Sequence, residues 1–205
     1  MTDPDRADET PSEAGDILAD LDVDPALAAA VLEVESHVAG EGWDRPARLY
    51  ALVDTARLVA SEPALAAAMG LDASSARGSL TAVEQDQLTP DQPLEQVLES
   101  IVWPPGVAGC AAVVERLVLP PNADVDLPED PAAAEEVARE HPLRQDVRIV
   151  AGVTRHGSTY CALRLRAHDD DASVVGGADL VPGLLALLRA TLEDDLHESS
   201  EENTE

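Results

Sequence analysis

Two strand-like runs near the C-terminal end of the chain, at residues 146–154 and 158–167, constrain the fold more than any other feature of the sequence. Residues 155–157 separate the runs, and the last of these is Gly157. A two-residue turn would place apolar and charged side chains on the same face of the hairpin. A three-residue turn with Gly157 in the left-handed conformation keeps one face apolar. We therefore predict an antiparallel hairpin in which Thr154 pairs with Ser158.

The predicted register divides the hairpin into an apolar face and a basic face. On the basic face Arg148 lies opposite Arg164, and Arg166 follows on the same strand. Like charges directly opposite one another destabilise a sheet unless a counter-charge covers them. The register therefore predicts that anionic groups cover this face. The apolar face carries Val147, Ile149, Ala151, Val153, Thr159, Cys161, Leu163 and Leu165.

Capping signals and periodicity predict three helices in the first third of the chain. Asp24 and Pro25 are the N-cap and the first residue of the first helix, which Gly40 ends. A second helix is predicted after Asp44 and a short third helix over residues 61–70. Because the connections are short, these helices are expected to form an antiparallel layer. The inward positions of the second helix are Leu49, Leu52, Val53, Ala56 and Val59.

The rest of the chain alternates between strands and helices. We predict a weak strand at 79–85, a helix at 94–101 and a strand at 107–119 that is buried on both faces at its start. A short helix follows at 130–141, and a final helix begins near Asp179 and Pro182. This order indicates an α+β fold with a mostly antiparallel sheet covered by helices.

The charge of the chain is strongly negative and is concentrated at its ends. The 205 residues include 41 acidic residues and 13 basic residues, all of them Arg, which gives a net charge of -28. Residues 1–24 and 193–205 contribute 15 of these excess negative charges. Such segments cannot bury enough apolar surface to offset the entropy of ordering. We therefore predict one domain at 16–195, flanked by disordered acidic tails at 1–15 and 196–205.

The composition also excludes several classes of function. Without Lys there is no Walker-type lysine and no Schiff base, and the negative field opposes binding to nucleic acid or anionic lipid. The start of the chain lacks a signal-peptide pattern, and no apolar stretch is long enough to cross a membrane. The two cysteines are too few for a disulfide framework. We expect a cytoplasmic protein.

Several stretches of the chain resemble a family of uncharacterised actinobacterial proteins. The most specific is WPPGVAGCAAVVERLVLPP at residues 103–121, and others lie at 42–66, 79–88, 146–157 and 179–192. The resemblance covers most of the chain except both acidic ends. It implies an intracellular actinobacterial protein with a shared α+β fold, and it supplies no catalytic residues.

Five of the 13 arginines lie within residues 144–166, where Asp146 is the only acidic residue. Guanidinium groups match the geometry of carboxylates and phosphates. Two interpretations stay open: an acidic helix or tail of the same chain covers these arginines, or they bind an anionic patch on a partner protein or a small anionic ligand. The candidate binding face consists of Arg144, Arg148, Arg164 and Arg166, and Arg155 completes the group of five.

Other residues with chemical potential form no coherent site. Trp103, which two prolines follow, is either a structural plug at the end of a helix or an interface anchor. The five histidines lack metal-binding spacing, and both cysteines lie on predicted apolar strand faces. The sequence therefore predicts no metal site, no cofactor and no catalytic residue.

These observations favour a non-catalytic intracellular interaction module, adaptor- or chaperone-like, that binds another protein through its Arg-bearing sheet face. The alternative is a binder of, or an enzyme acting on, a small phosphate- or carboxylate-bearing ligand that Arg148, Arg164 and Arg166 would clamp. A purely structural domain whose acidity serves solubility is a third possibility.

Overall fold

The computed structural model describes residues 23–72, 74, 77–86, 93–120, 123, 128 and 130–193. Both predicted acidic tails, at 1–15 and 196–205, lie outside the described residues.

A six-stranded antiparallel sheet is the centre of the domain, in the order β2-β1-β3-β4-β5-β6. Helices cover both of its faces, so the predicted single α+β domain with an antiparallel sheet is confirmed. The strands are β1 (Arg48–Asp54), β2 (Leu80–Glu84), β3 (Gly109–Val118), β4 (Gln145–Thr154), β5 (Thr159–Leu165) and β6 (Val175–Gly177).

Six helices and two short 3-10 turns complete the described part of the chain. The helices are α1 (Pro25–Ala39), α2 (Thr55–Ser61), α3 (Pro63–Ala68), α4 (Leu94–Ser100), α5 (Pro131–Glu140) and α6 (Pro182–Ala190), and the 3-10 turns are Arg166–His168 and Asp171–Ser173. Asp24 caps α1 as predicted, because its carboxylate accepts hydrogen bonds from the amides of Ala26 and Leu27 at 2.9 and 3.3 Å.

The hairpin of β4 and β5 has the predicted three-residue turn and register. The amide of Thr154 donates to the carbonyl of Ser158 at 3.0 Å, and Arg148 pairs directly with Arg164. Gly157 has φ = 90°, a conformation in which a side chain would be strained. The period-two pattern of the two strands therefore fixed their pairing, because a shift of one residue would have moved the apolar set to the wrong face.

The predicted helix after Asp44 is wrong over its first half, where residues 48–54 form β1 instead. This strand is paired on both edges, by β2 and β3, and its apolar side chains alternate between the two cores: Leu49 and Ala51 face α4 and α6, and Tyr50 and Leu52 face α1. A short run of that kind fits a buried strand as well as a buried helix. The helix α2 begins only at Thr55. Asp54 is its N-cap, because the Asp54 carboxylate accepts a hydrogen bond from the amide of Arg57 at 2.8 Å.

Because β1 is a strand, the predicted layer of three N-terminal helices does not form. The helix α1 covers one face of the sheet, while α4 and α6 cover the other face. The α1 face buries Leu27, Val31, Val34, Val38, Tyr50, Leu52, Ala111, Val113, Val150 and Ala162. The opposite face buries Leu94, Leu98, Trp103, Cys110, Val114, Ile149, Val153, Cys161, Leu185 and Leu188, among others.

The helix α1 packs so closely against β4 that no side chain fits beneath it at Gly152. A Cβ atom built at Gly152 would lie 2.6 Å from Cγ2 of Val31 and 3.1 Å from Cδ1 of Leu27. Both of these neighbours are fully buried side chains of α1, so the contact sets the distance between α1 and the sheet.

We predict that Gly152→Ala destabilises the fold by about 1–3 kcal/mol, since the added methyl group must push α1 away from the sheet. Gly183→Ala is the matched control, because its Cβ would meet nothing within 4 Å in the first turn of α6. The control is expected to leave the free energy of unfolding unchanged or slightly higher. Urea denaturation measures both, and equal stabilities for the two variants would contradict the close packing described here.

Candidate functional site

The basic side of the hairpin is buried beneath α1 and the loop that follows it. Arg148 and Arg164 lie opposite each other on β4 and β5, and their exposed fractions are only 1% and 2%. Glu115 of β3 is the partner of Arg148 in the sheet on its other side. Two guanidinium groups at this depth require anionic or carbonyl partners, because an unpaired buried charge is very costly.

Arg164 is held by a carboxylate of α1. Its Nε and Nη2 atoms donate to the two carboxylate oxygens of Glu35 at 2.6 and 2.8 Å, and Glu35 is itself 3% exposed. Asp171 accepts from Nη2 at 2.7 Å and Asp169 from Nη1 at 3.4 Å. The hydrogen bonds that Arg164 donates to Glu35, above all, raise the pKa of Arg164. The bidentate pair therefore ties α1 to β5.

Arg148 is held by the loop after α1. Its guanidinium stacks on the indole of Trp43 at 4.2 Å from the ring centroid, a cation–π contact. The Nη2 atom donates to Oε1 of Glu115 at 3.1 Å and to the carbonyl of Gly42. The Nη1 atom has no hydrogen-bond partner among the described residues.

Arg166 binds the outer side of the same loop after α1. It donates through both Nη atoms to the carboxylate of Asp44, at 2.8 and 2.6 Å, and this pairing lowers the pKa of Asp44. Trp43 lies 5.5 Å from this guanidinium and donates through Nε1 to Asp169 at 2.9 Å. Asp44 adopts φ = 63°, and its amide donates to Glu115 at 2.8 Å. We call these residues the arginine cluster: Arg148, Arg164, Arg166, Trp43, Glu35, Asp44, Glu115, Asp169 and Asp171.

The arginine cluster agrees with the first of the two interpretations that the sequence left open. In this interpretation the chain's own carboxylates cover the arginines. Nothing in the local sequence connects Glu35 or Trp43 with the hairpin, since only the fold brings them to it. Arg164 and Arg148 offer no open surface in this arrangement, whereas Arg166 is 41% exposed.

The other two arginines of the group lie elsewhere. Arg144 is exposed before β4, and its Nη1 atom donates to the carbonyl of Arg139 at the end of α5 at 2.8 Å. Arg155 lies in the hairpin turn and donates to main-chain carbonyls, including those of Val107 at 2.9 Å and Trp103 at 2.8 Å. Neither contributes to the arginine cluster, and Arg155 instead holds the segment after α4 against the turn.

Trp103 is buried in the core rather than exposed as an anchor. It is 6% exposed, and its Nε1 atom donates to Oγ1 of Thr191 at 3.0 Å. The ring therefore packs between the end of α4 and the end of α6, as a structural plug would.

A cleft between α1 and β2 is the feature that the sequence did not reveal. We call it the α1–β2 cleft. It has a volume of about 430 Å³, within the range of about 300–1,000 Å³ that is common for ligand sites. It forms where α1, β1, the end of α3 and β2 meet, so no local pattern indicates it. Its lining is Glu33, Val34, His37, Tyr50, Thr55, Met69, Leu71, Ser79, Leu80, Thr81, Ala82 and Glu84.

Tyr50 is the unusual residue of this lining. It is 4% exposed, and its hydroxyl lies beside the guanidinium of Arg48 without a hydrogen bond of standard geometry. Burial raises the pKa of Tyr50, an effect that the nearby Arg48 guanidinium partly offsets. The hydroxyl therefore stays protonated near neutral pH and is able both to donate and to accept a hydrogen bond.

The described parts of the chain hold neither a group of metal-ligating side chains nor a helix of membrane-spanning character. No group of three or more His, Cys, Asp or Glu side chains is arranged there to hold a metal ion. None of the helices described above combines the length and the apolar character needed to span a bilayer.

The fold defines a single-domain α+β protein in which helices cover both faces of an antiparallel sheet. Residues 27–193 match the family of the PPA1309-like protein, and the chain belongs to this uncharacterised family. The predicted membership in an uncharacterised protein family is thereby confirmed. No curated protein and no solved structure matches the chain.

We predict that Arg164→Leu destabilises the domain by about 3–5 kcal/mol, because Glu35 would stay buried without its cation. The double variant Glu35→Leu/Arg164→Leu is expected to recover part of this loss, since no charge remains stranded. Arg166→Leu, which removes an exposed pair, is the control and should change stability little. Urea denaturation at neutral pH separates these cases. A double variant less stable than Arg164→Leu would contradict a paired, buried interaction.

We also predict that neither cysteine reacts with thiol reagents in the folded protein. Both are 0% exposed, and burial raises the pKa of Cys110 to about 11. Since the thiolate is the reactive species, labelling by iodoacetamide at pH 8 should proceed only through unfolding. Mass spectrometry with and without urea measures this. Rapid labelling of Cys110 in the absence of urea would show that α6 does not cover it as described.

Proposed function

We propose that this protein is a non-catalytic interaction module that binds an extended segment of a partner protein along β2. The observation that carries the proposal is that β2 combines an outer sheet edge with an adjoining cleft. No described strand pairs with its outer side. Addition of a strand to such an edge is a common mode of peptide recognition, in which main-chain hydrogen bonds supply affinity and pockets supply specificity.

The ladder between β1 and β2 indicates which groups of the edge face outward. The amide of Gln85 donates to Leu49 at 2.9 Å, and the amide of Thr55 donates to Ser79 at 3.1 Å. Because bonded positions alternate along an antiparallel pair, the main-chain groups of Leu80, Ala82 and Glu84 point away from β1. The side chains of the same three residues line the α1–β2 cleft. A segment added here would therefore lie beside the cleft.

The arginine cluster supports a different location for the binding surface from the one expected from the sequence. Its guanidinium groups already have carboxylate partners from α1, from β3 and from the neighbouring loops. An anionic partner or ligand would have to displace these, at the cost of leaving buried charges unpaired. We propose that the arginine cluster holds α1 in place and thereby positions one wall of the α1–β2 cleft.

We further infer a cytoplasmic location, because the two cysteines are free thiols. Free thiols persist in reducing compartments, whereas oxidising compartments favour disulfides.

The proposal is tested with a phage-displayed library of random 12-residue peptides selected on the full chain. We expect enriched peptides that bind the wild type and bind Ala82→Pro at least about tenfold more weakly, since proline removes one outward N–H group and crowds the added strand. Proline at this position leaves the pairing with β1 intact, because the amide of Ala82 points outward.

Ala82→Ser is the matched control, because it keeps the N–H group and a small side chain. It should bind the enriched peptides like the wild type. Backbone amide shifts in NMR spectra should map the bound peptide to residues 79–85. Failure of any peptide to enrich, or equal binding by wild type and Ala82→Pro, would overturn strand addition at β2.

A further inference from the structure

A second cleft lies on the face of the sheet opposite α1, where β1 and the end of β2 meet the segment after α4. We call it the Trp103 groove. Its volume is about 450 Å³, and Asp86 is the only charged residue of its lining. Val102 is 69% exposed, the highest value for a large apolar side chain in the described chain. The groove therefore offers apolar surface that the described residues leave uncovered. Its apolar lining is Leu49, Ile101, Val102, Trp103 and Pro104.

The described chain ends beside this groove. The amide of Trp103 donates to the carbonyl of Thr191 at 3.4 Å, and its indole donates to the Thr191 hydroxyl at 3.0 Å. The guanidinium of Arg155 donates to the carbonyls of both Trp103 and Leu192. Glu193, the last residue that the structure describes at this end, follows Leu192 directly. The next residues of the chain therefore start at the edge of the groove.

Two guanidinium groups flank the turn that follows the groove. The amide of Val107 donates to the carbonyl of Pro104 at 2.9 Å and closes this turn. Arg155 donates to the carbonyls of the same two residues, at 2.9 Å for Val107 and 3.3 Å for Pro104. A Cβ atom built at Gly106 would lie 3.4 Å from Nη2 of Arg57. Arg57 is exposed and forms no ion pair within the described residues. The turn therefore carries positive charge at the surface.

The segment after Glu193 is complementary to this surface. Residues 194–205 contain six acidic residues and no Arg, and Leu196 is their only large apolar residue. Leu196 lies three positions after Glu193, which gives it a reach of up to about 10 Å. In a protein with a net charge of -28, most of the surface repels such a segment, whereas the guanidinium groups of Arg57 and Arg155 attract it.

We propose that residues 194–198 fold back over the Trp103 groove as an intramolecular ligand. Leu196 packs on Val102, and the acidic residues on either side of Leu196 lie near the guanidinium of Arg57. Removal of this apolar surface from water supplies the driving force, and the charges fix the direction of the segment. The proposal does not depend on strand addition at β2. It replaces the predicted disorder of the C-terminal tail for residues 196–198.

The first measurement is paramagnetic relaxation enhancement in NMR spectra of the isotope-labelled full chain, with a nitroxide attached at Ser199→Cys. Both native cysteines are 0% exposed, so the reagent attaches to the introduced thiol. We expect the amide signals of residues 101–103 and 106 to lose most of their intensity. The same label at Ser12→Cys, in the other acidic end of the chain, is the control and should cause a smaller loss. Equal loss from the two labels, or no loss from either, would overturn the docking.

A mixture of chains separates docking within one molecule from docking between two copies. Spin-labelled chain without isotopes is mixed with isotope-labelled chain that carries no spin label. We expect the signals of residues 101–103 and 106 to keep their intensity in this mixture. A loss of intensity there would identify a second copy as the source of the segment and would overturn docking within the chain.

Variants of the groove and of the turn test the placement of the segment. Arg57→Gln and Val102→Ser should each lower the ratio of docked to free segment roughly two- to fivefold, since each removes an exposed ion pair or an apolar contact. Arg144→Gln, before β4 at the opposite end of the sheet, and Val175→Ser, on the far edge strand β6, are the matched controls. Both residues are exposed, and both variants should dock like the wild type. Unchanged signal loss in Arg57→Gln and Val102→Ser would show that the segment does not lie on this groove.

Discussion

The buried ion pair between Glu35 and Arg164 is the interaction on which the arrangement of the α1 face depends. Two hydrogen bonds of 2.6 and 2.8 Å join a helix to a strand that lies 129 positions further along the chain. Removal of either partner would leave the other charge buried and unpaired in the core. The pair therefore fixes the position of α1 against the sheet. Glu33, Val34 and His37 belong to the same helix, and their positions in the α1–β2 cleft follow from it.

The two faces of the sheet are buried by different kinds of contact. Apolar side chains fill most of the face beneath α4 and α6, where the polar contacts include those of Trp103, Thr191 and Cys110 and the carbonyl groups bound by Arg155. The α1 face combines an apolar half with the arginine cluster. In a chain with a net charge of -28, arginines placed inside the domain neutralise acidic groups that would otherwise repel one another.

Local patterns predicted those elements whose residues carry their own signals. The hairpin of β4 and β5 followed from alternation and from Gly157, and α1 from the cap at Asp24. The strand β1 was mistaken for a helix, because residues 48–54 are apolar at consecutive positions and nothing local distinguishes a central strand from a buried helix. The opposed arginines indicated that carboxylates must cover them, but not which ones.

The sequence by itself determined the fold class, the register of the late hairpin and the need for counter-charges over Arg148 and Arg164. Only the tertiary structure decided that Glu35 and Glu115 supply them, that the loop around Trp43 covers Arg148, and that α1, β1 and β2 enclose a cleft beside Tyr50. The physical reason is the distance along the chain over which each kind of interaction acts. Alternation, capping and turn preferences act between neighbours in the chain, whereas partners for buried charges and the walls of a cleft come from segments that meet only after the sheet has formed.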